Sequence, residues 1–224
     1  MSRPTPTAVE YPYSDGRPMA ETGIHVQALL WLYQALEDFY AGRPEVFFAV
    51  DMFWYWLEGD PKACAAPDVM VVPDGGGDRG RRSYKSWEHG GAVPALIVEV
   101  SSEKTVNIDL GKKFTQYERL GVREYFLFDP EGVHLVPVLQ GWRLVGGRYE
   151  RLLADDGVLD TELGFGLAAE GRMLRLVDGR TGRPIPTRAE ATEAERQRAD
   201  AERQRADALA AEVERLKARP GGTP

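Results

Sequence analysis

Ala95-Leu96-Ile97-Val98-Glu99-Val100-Ser101 and Val122-Arg123-Glu124-Tyr125-Phe126-Leu127-Phe128 read as two buried strands, and the segment between them decides the fold. Both runs are rich in the β-branched and aromatic side chains that suit a pleated, half-buried surface. Between them the spacing predicts a helix from about Ile108 to Leu120, stopped by Gly121. Strand, helix, strand is a crossover connection inside one mixed sheet.

Working toward the N-terminus, Val69 to Val72 reads as another buried strand, opened by Pro67-Asp68. Val46 to Trp56, aromatic and β-branched, reads as one long strand. Before it, Ile24, Ala28, Trp31, Leu32, Ala35, Leu36 and Phe39 repeat at helical spacing behind Thr22 as N-cap, with Gly42 and Pro44 ending the helix. Residues 74–93 are glycine-rich and basic, and a long loop without regular structure is expected there. Past the crossover, Val133 to Leu139, Trp142 to Val145 and Tyr149 to Leu153 read as an antiparallel meander, with one more hairpin from Leu163 to Leu167 and Met173 to Val177. The expected class is α/β (α+β).

Four segments are expected: an arm over 1–20, a domain over 21–180, a linker over 181–188 and a charged helix over 189–219. The tail repeats Ala194-Glu195-Arg196-Gln197-Arg198-Ala199-Asp200 unchanged as Ala201-Glu202-Arg203-Gln204-Arg205-Ala206-Asp207. A period of seven residues rich in Ala, Glu and Arg means a long helix. Ala199, Ala206 and Val213 share one seam position, but Glu195 and Glu202 interrupt the other. Two readings follow: a solvated charged helix, or a weak coiled coil that makes a homodimer.

The chain has 224 residues and 43% apolar side chains, enough for one sizeable core. Its apolar runs are too short to cross a bilayer, and Met1-Ser2-Arg3-Pro4-Thr5-Pro6 does not read as a secretory signal. Cys64 is the single cysteine, so no internal disulfide forms. A cytoplasmic, membrane-free protein is expected. The net charge of -7 argues against indiscriminate nucleic-acid binding, because phosphate contacts need Lys and Arg. A local basic groove stays open: Arg79, Arg81, Arg82 and Lys85 cluster in the glycine-rich loop.

A carboxylate inside a Val/Ile/Leu strand is costly unless it is paired or holds a metal. Asp68 and Glu99 are two such acids, and both supply hard oxygen ligands for Mg²⁺ or Mn²⁺. Strand alternation puts Glu99 on one face with Ile97 and Ser101. Asp109, Lys113 and Tyr117 stand at i, i+4 and i+8 on one helix face, at the border of an apolar stripe formed by Leu110, Phe114, Tyr117 and Leu120. Two acids and a lysine suit metal-assisted cleavage of a phosphodiester: cations polarise the phosphoryl oxygens, and a nearby ammonium orients water and offsets developing charge. A purely structural acid pair neutralised by Lys113 explains the same residues. No Gly-x-x-x-x-Gly-Lys-Ser/Thr loop or Gly-x-Ser-x-Gly elbow competes.

These residues resemble a known family. Pro67-Asp68, Val98-Glu99-Val100-Ser101-Ser102, Asp109 with Lys113 and Tyr117, and Gly121-Val122-Arg123-Glu124-Tyr125-Phe126-Leu127-Phe128-Asp129-Pro130 are similar to the Uma-two restriction-endonuclease-like proteins of the PD-(D/E)XK nuclease superfamily. Tyr11 to Glu21 also resembles one branch of that family. The resemblance covers roughly residues 18–140 and implies a restriction-endonuclease-like αβββαβ core. It implies a metal-dependent endonuclease acting on nucleic acid, with DNA expected. Asp68, Glu99 and the backbone carbonyl of Val100 would hold the metal. One departure stands out: the superfamily lysine two residues after the second acid is Ser101 here. A lysine from the following helix takes its place, which makes Lys113 the candidate and Lys104 the alternative.

Glu21 and His25 lie at the start of the first helix, where the resemblance implies acids and histidines near the metal; a dipole-favoured carboxylate and a packed histidine are the plainer readings. Asp51 is a candidate third acid or a polar residue at a sheet edge. Tyr117 is expected in the core with its hydroxyl at the site. Tyr84 and Trp87 stack on bases or anchor their loop. The alternative function is a nuclease-fold binding or regulatory protein that cleaves nothing and assembles through its C-terminal helix.

Overall fold

The computed structural model describes residues 9–14 and 22–217. It divides into two compact units, Met1–Ile185 and Pro186–Pro224.

In the first unit, helix α1 (Gly23–Phe39) begins where the Thr22 side chain accepts a hydrogen bond from the His25 backbone N–H, and it buries Ala28, Leu32 and Leu36. Strands β1 (Phe47–Val50), β4 (Val69–Val72), β6 (Leu96–Val100), β7 (Glu124–Phe128), β8 (Leu139–Val145) and β9 (Arg148–Arg151) form one sheet in the order β1-β4-β6-β7-β8-β9. All of its ladders are antiparallel except β6–β7. That parallel pair is joined by α2 (Val106–Ile108), a π-helical turn (Asp109–Lys113) and α3 (Phe114–Leu120). The expected αβββαβ core and mixed sheet are therefore present as α1, β1, β4, β6, α2–α3 and β7.

Period-two alternation divides this sheet between two apolar cores. Leu96, Val98, Val100, Phe126 and Phe128 pack with α1, together with Leu159 of β10 (Val158–Asp160), Leu167 of β11 (Phe165–Glu170) and Leu174 of β12 (Met173–Asp178). Ile97, Tyr125 and Leu127 face the other way, onto Tyr117 of α3 and onto a small sheet of β2 (Trp54–Tyr55), β3 (Cys64–Ala65) and β5 (Tyr84–Lys85).

Several expected elements differ. The long strand from Val46 to Trp56 is two strands in different sheets, because the chain turns at Asp51, whose φ is 46°. Aspartate tolerates this left-handed backbone better than its β-branched neighbours would. Val133 to Val138 is not a strand: the Asp129 carboxylate gathers the backbone N–H groups of Glu131, Gly132, His134 and Leu135 into a turn. The loop at 74–93 carries β5 and a 3₁₀ turn (Ser86–His89). Strand β10, which the sequence pattern does not mark, completes the last antiparallel sheet. Leu110 is 42% exposed and does not join the docking stripe, since the π turn rotates it away from Phe114 and Tyr117.

The second unit holds helix α4 (Arg188–Lys217), none of whose side chains is buried. Thr187 and Glu190 cap its start reciprocally: the Glu190 carboxylate accepts from the Thr187 N–H, and the Thr187 hydroxyl accepts from the Glu190 N–H. Among the described residues no helix is long and apolar enough to cross a membrane.

Candidate active site

The β4–β6 register pairs Val69 with Val98, which sets Asp68 opposite Glu99 where the ladder ends. There the side chains take over from the backbone. Asp68 Oδ2 accepts from the Val100 N–H at 2.7 Å, and Glu99 Oε2 accepts from the Asp68 N–H at 3.3 Å. Each acid is thus fixed by the other's strand. Glu99 is fully buried on the α3 side of the sheet, the face of Ile97 and Ser101.

The crossover helix adds the cation. Lys113 Nζ lies 2.8 Å from Glu99 Oε2 and 3.1 Å from Asp109 Oδ1. One turn further on, the Tyr117 hydroxyl donates to Glu99 Oε1 at 2.8 Å. Asp109, 1% exposed, accepts from the Ser101 hydroxyl at 3.1 Å, and its backbone carbonyl accepts from the Tyr125 hydroxyl at 3.0 Å. Tyr125 does not stand out in the sequence, although strand alternation sets it on the same face as Glu99. From α1, His25 Nε2 approaches Asp68 Oδ1 to 3.8 Å.

Three carboxylates therefore face one ammonium in a largely dry pocket. Burial pushes the Glu99 carboxyl up to about 8, and the Asp68 charge pushes the same way. Burial likewise raises Asp68 to about 6, against the pull of Lys113. For Lys113, burial opposes the charge, but Glu99, Asp109 and Asp68 outweigh it and hold the ammonium above its ordinary value. Asp109 Oδ1 is buried without a hydrogen-bond partner; Lys113 neutralises it by charge at 3.1 Å without an aligned bond. The cluster is short of positive charge.

That shortage is the test of whether a metal fits. Among the described residues, no three His, Cys, Asp or Glu side chains form a ready-made metal cage. Asp68, Glu99 and the Val100 carbonyl are nevertheless an all-oxygen donor set suited to Mg²⁺ or Mn²⁺. A divalent cation would offset the negative charge that burial makes costly at both carboxyls, so the residues fit the ion.

Other sequence candidates fall elsewhere. Lys104 is exposed, with no ion pair to these acids among the described residues. Glu21 lies outside the described residues. Asp51 is exposed at the β1 turn, its N–H donating to the Asp68 carbonyl. In the basic loop, Arg81 donates to the carbonyls of Gly75, Gly76 and Asp78 and lies 4.3 Å over the Phe47 ring. Its guanidinium holds the loop closed. Arg79 sits 4.2 Å over Phe48, Arg82 lies 4.8 Å over Tyr13, and Lys85 pairs with Glu88 at 3.1 Å. None of the four contacts Asp68, Glu99 or Lys113 among the described residues. Tyr84 cannot stack on bases: it is fully buried between Phe47 and His89, and its hydroxyl donates to the Ala92 carbonyl. Trp87 packs on Tyr11.

Comparison with known proteins adds three findings. The family model Uma2, described as "Putative restriction endonuclease", matches residues 2–172. A crystal structure of a "putative nuclease belonging to DUF820 from Anabaena variabilis ATCC 29413" is similar over 67% of this chain and 80% of that chain, at 15% identity and a TM-score of 0.45. No curated protein matches the chain.

Proposed function

Since the chain belongs to the Uma2 family of restriction-endonuclease-type proteins, we propose that it is a metal-dependent endonuclease hydrolysing phosphodiester bonds, with DNA as substrate and Mg²⁺ or Mn²⁺ as cofactor. The observation that carries this reading is the charge-deficient cluster: Asp68 and Glu99 clamped across two strands, with Lys113 2.8 Å from Glu99.

Asp68, Glu99 and the Val100 carbonyl would hold the ion, which when bound supplies Lewis-acid polarisation of the scissile phosphate and acidifies water. The protein's own groups do the rest. The Val100 N–H fixes one Asp68 oxygen, and the Tyr117 hydroxyl fixes one Glu99 oxygen, so both carboxylates are preorganised. Lys113, tethered between Glu99 and Asp109, has a side chain 24% exposed and an ammonium that stays protonated at neutral pH. From there it orients the attacking water and offsets negative charge as the phosphorus centre becomes more crowded. Ser101 and Tyr125 hold Asp109, which in turn holds Lys113. His25 stands beside Asp68, 3.8 Å from its remaining oxygen.

The test is incubation of purified protein with supercoiled plasmid, single-stranded DNA and RNA in Mg²⁺ or Mn²⁺, alongside Glu99→Gln. Metal-dependent nicking of the plasmid, lost in the variant, is the expected result. Equal nicking by both proteins, or none by either, refutes catalysis at this cluster and leaves the non-cleaving binding protein in its place.

A further inference from the structure

The exposed side of the crossover helix carries a feature that the acid cluster does not use. Lys112, Thr115, Gln116 and Arg119 lie at i, i+3, i+4 and i+7, one continuous face. With Trp56 and Leu120 they line a surface cavity of about 440 Å³. We propose that this cavity is a nucleotide subsite, taking an unstacked base and its phosphate from a single-stranded segment of nucleic acid.

The lining fits that occupant part by part. Trp56, only partly buried, offers an aromatic wall, and base–aromatic stacking tolerates any sequence because every base has a π face. Leu120 extends the apolar wall. Lys112 and Arg119 are exposed and are not paired with an acid among the described residues, which leaves both available to phosphate. The acid nearest in sequence, Glu118, is already engaged by the Arg148 guanidinium and the Tyr149 N–H. Thr115 and Gln116 add a hydroxyl and an amide for base edges. A base inside a duplex is stacked on both faces, so a tryptophan-walled cavity selects one that has left the stack.

The cavity also borders the acid cluster through a chain of packed rings. Trp56 packs edge-on against Trp54 at 5.3 Å, and Trp54 stacks on Tyr117 at 6.4 Å, whose hydroxyl holds Glu99. Lys112 and Lys113 are consecutive residues, one lining the cavity and the other turned toward Glu99. Cations concentrated here answer the objection raised by a net charge of -7: phosphate binding needs only a local patch. The choice of nucleic acid as occupant rests on the endonuclease reading.

The experiment measures binding without cleavage. Fluorescein-labelled dT20 and a matched duplex are titrated by anisotropy in EDTA, on the Glu99→Gln background. Lys112→Glu/Arg119→Glu should weaken dT20 binding at least tenfold and lower the salt slope by about 1.4, the change expected when two side chains no longer neutralise phosphates of a single strand. Trp56→Ala should weaken it about 5- to 150-fold. Duplex affinity should change less with Trp56→Ala. Arg151→Glu, an exposed charge on β9, is the control and should bind as the parent does. A double charge-reversal protein that binds dT20 as tightly as its parent overturns the proposal, whatever Trp56→Ala does; so does a parent that binds no dT20. Nicking lost in Glu99→Gln with normal binding by every cavity variant sinks the subsite alone. Weakened dT20 binding by those variants in a protein that never nicks sinks the endonuclease reading alone.

Discussion

Replacing Glu99 with glutamine should make the stability of the metal-free protein far less sensitive to pH. The Glu99 carboxyl is fully buried and displaced from 4.5 to about 8, by burial first and by the Asp68 charge second. Between those values the folded chain keeps a proton that the unfolded chain has released, so stability falls as pH rises through the window. The loss is absent below about 4.5 and complete above about 8. At about 1.4 kcal/mol per pH unit of displacement, the full loss approaches about 5 kcal/mol, an upper figure for a carboxyl that titrates together with Asp68. Lys113 adds no slope here, because its pKa is held above the ordinary lysine value. Glutamine keeps the side-chain volume and can still accept from the Tyr117 hydroxyl, but it does not titrate. Urea unfolding of both proteins in EDTA, followed by tryptophan fluorescence at about pH 5.5 and about pH 8.5, measures the effect. The stability of the variant relative to the parent should rise by about 3 kcal/mol between the two conditions. Adding Mg²⁺ at about a hundred times its dissociation constant should return about 2.7 kcal/mol to the parent at the higher pH and little to the variant. A stability difference that stays constant between the two pH values refutes the displaced carboxyl.

Lys113→Met should destabilise the protein by about 3–5 kcal/mol near pH 8 and by much less near pH 5, because it strands buried carboxylates; chemical denaturation at both pH values measures this. Tyr117→Phe removes the donor to Glu99 Oε1 and should cost about 1–3 kcal/mol in stability, while lowering kcat for nicking more than it raises KM. Gly77→Ala would bring a Cβ to 1.7 Å from the Pro44 carbonyl oxygen, so the basic loop must shift; faster proteolysis within 74–93 and a lower Tm are expected. Truncation before Arg188 should leave nicking and Tm intact, since α4 buries none of its side chains, while lowering the number of chains per particle measured by light scattering; an unchanged number removes the homodimer.

The site's elements were legible because strand and helix periodicity act locally. Alternation sets Glu99 beside Ile97 and Ser101, and a four-residue step aligns Asp109 with Lys113. What could not be read were features made by distant partners. Asp51 breaks its strand where the chain crosses from the main sheet to the small one, and nothing in the aromatic run around it signals two sheets. The π turn at Asp109–Lys113 has no simple sequence mark, yet it decides that Leu110 faces solvent. By composition alone, the arginines of the basic loop are free for phosphate. Arg81 instead commits its guanidinium to carbonyls brought to it when Gly75 and Gly76 turn back, and Arg79 and Arg82 lie over the Phe48 and Tyr13 rings.

The same sheet contains an internal control for the meaning of the acid cluster. Glu124, on β7 next to the Glu99 strand, is 1% exposed. It is answered by Arg143, whose Nε and Nη2 lie 2.9 and 2.7 Å from one oxygen, and by the Glu162 N–H. Arg143 is shared with Glu162, which Arg123 also grips, so two acids meet two guanidiniums, and matched charge is how a buried acid is made tolerable for the fold alone. In the Glu99 cluster the fold supplies neutral donors freely, from Asp68 and Tyr117 to Glu99, from Val100 to Asp68 and from Ser101 to Asp109, but among the described residues only one ammonium for three carboxylates. Neutral donors fix where oxygens point and cannot cancel their charge. A cluster kept for structure would lower its free energy by exchanging an acid for an amide, as in Glu99→Gln. Oxygens held in position by a fold that tolerates their charge only with a bound proton or an added cation suit a site for a divalent cation. On that reasoning the variant that stabilises the metal-free protein is also the one that abolishes nicking.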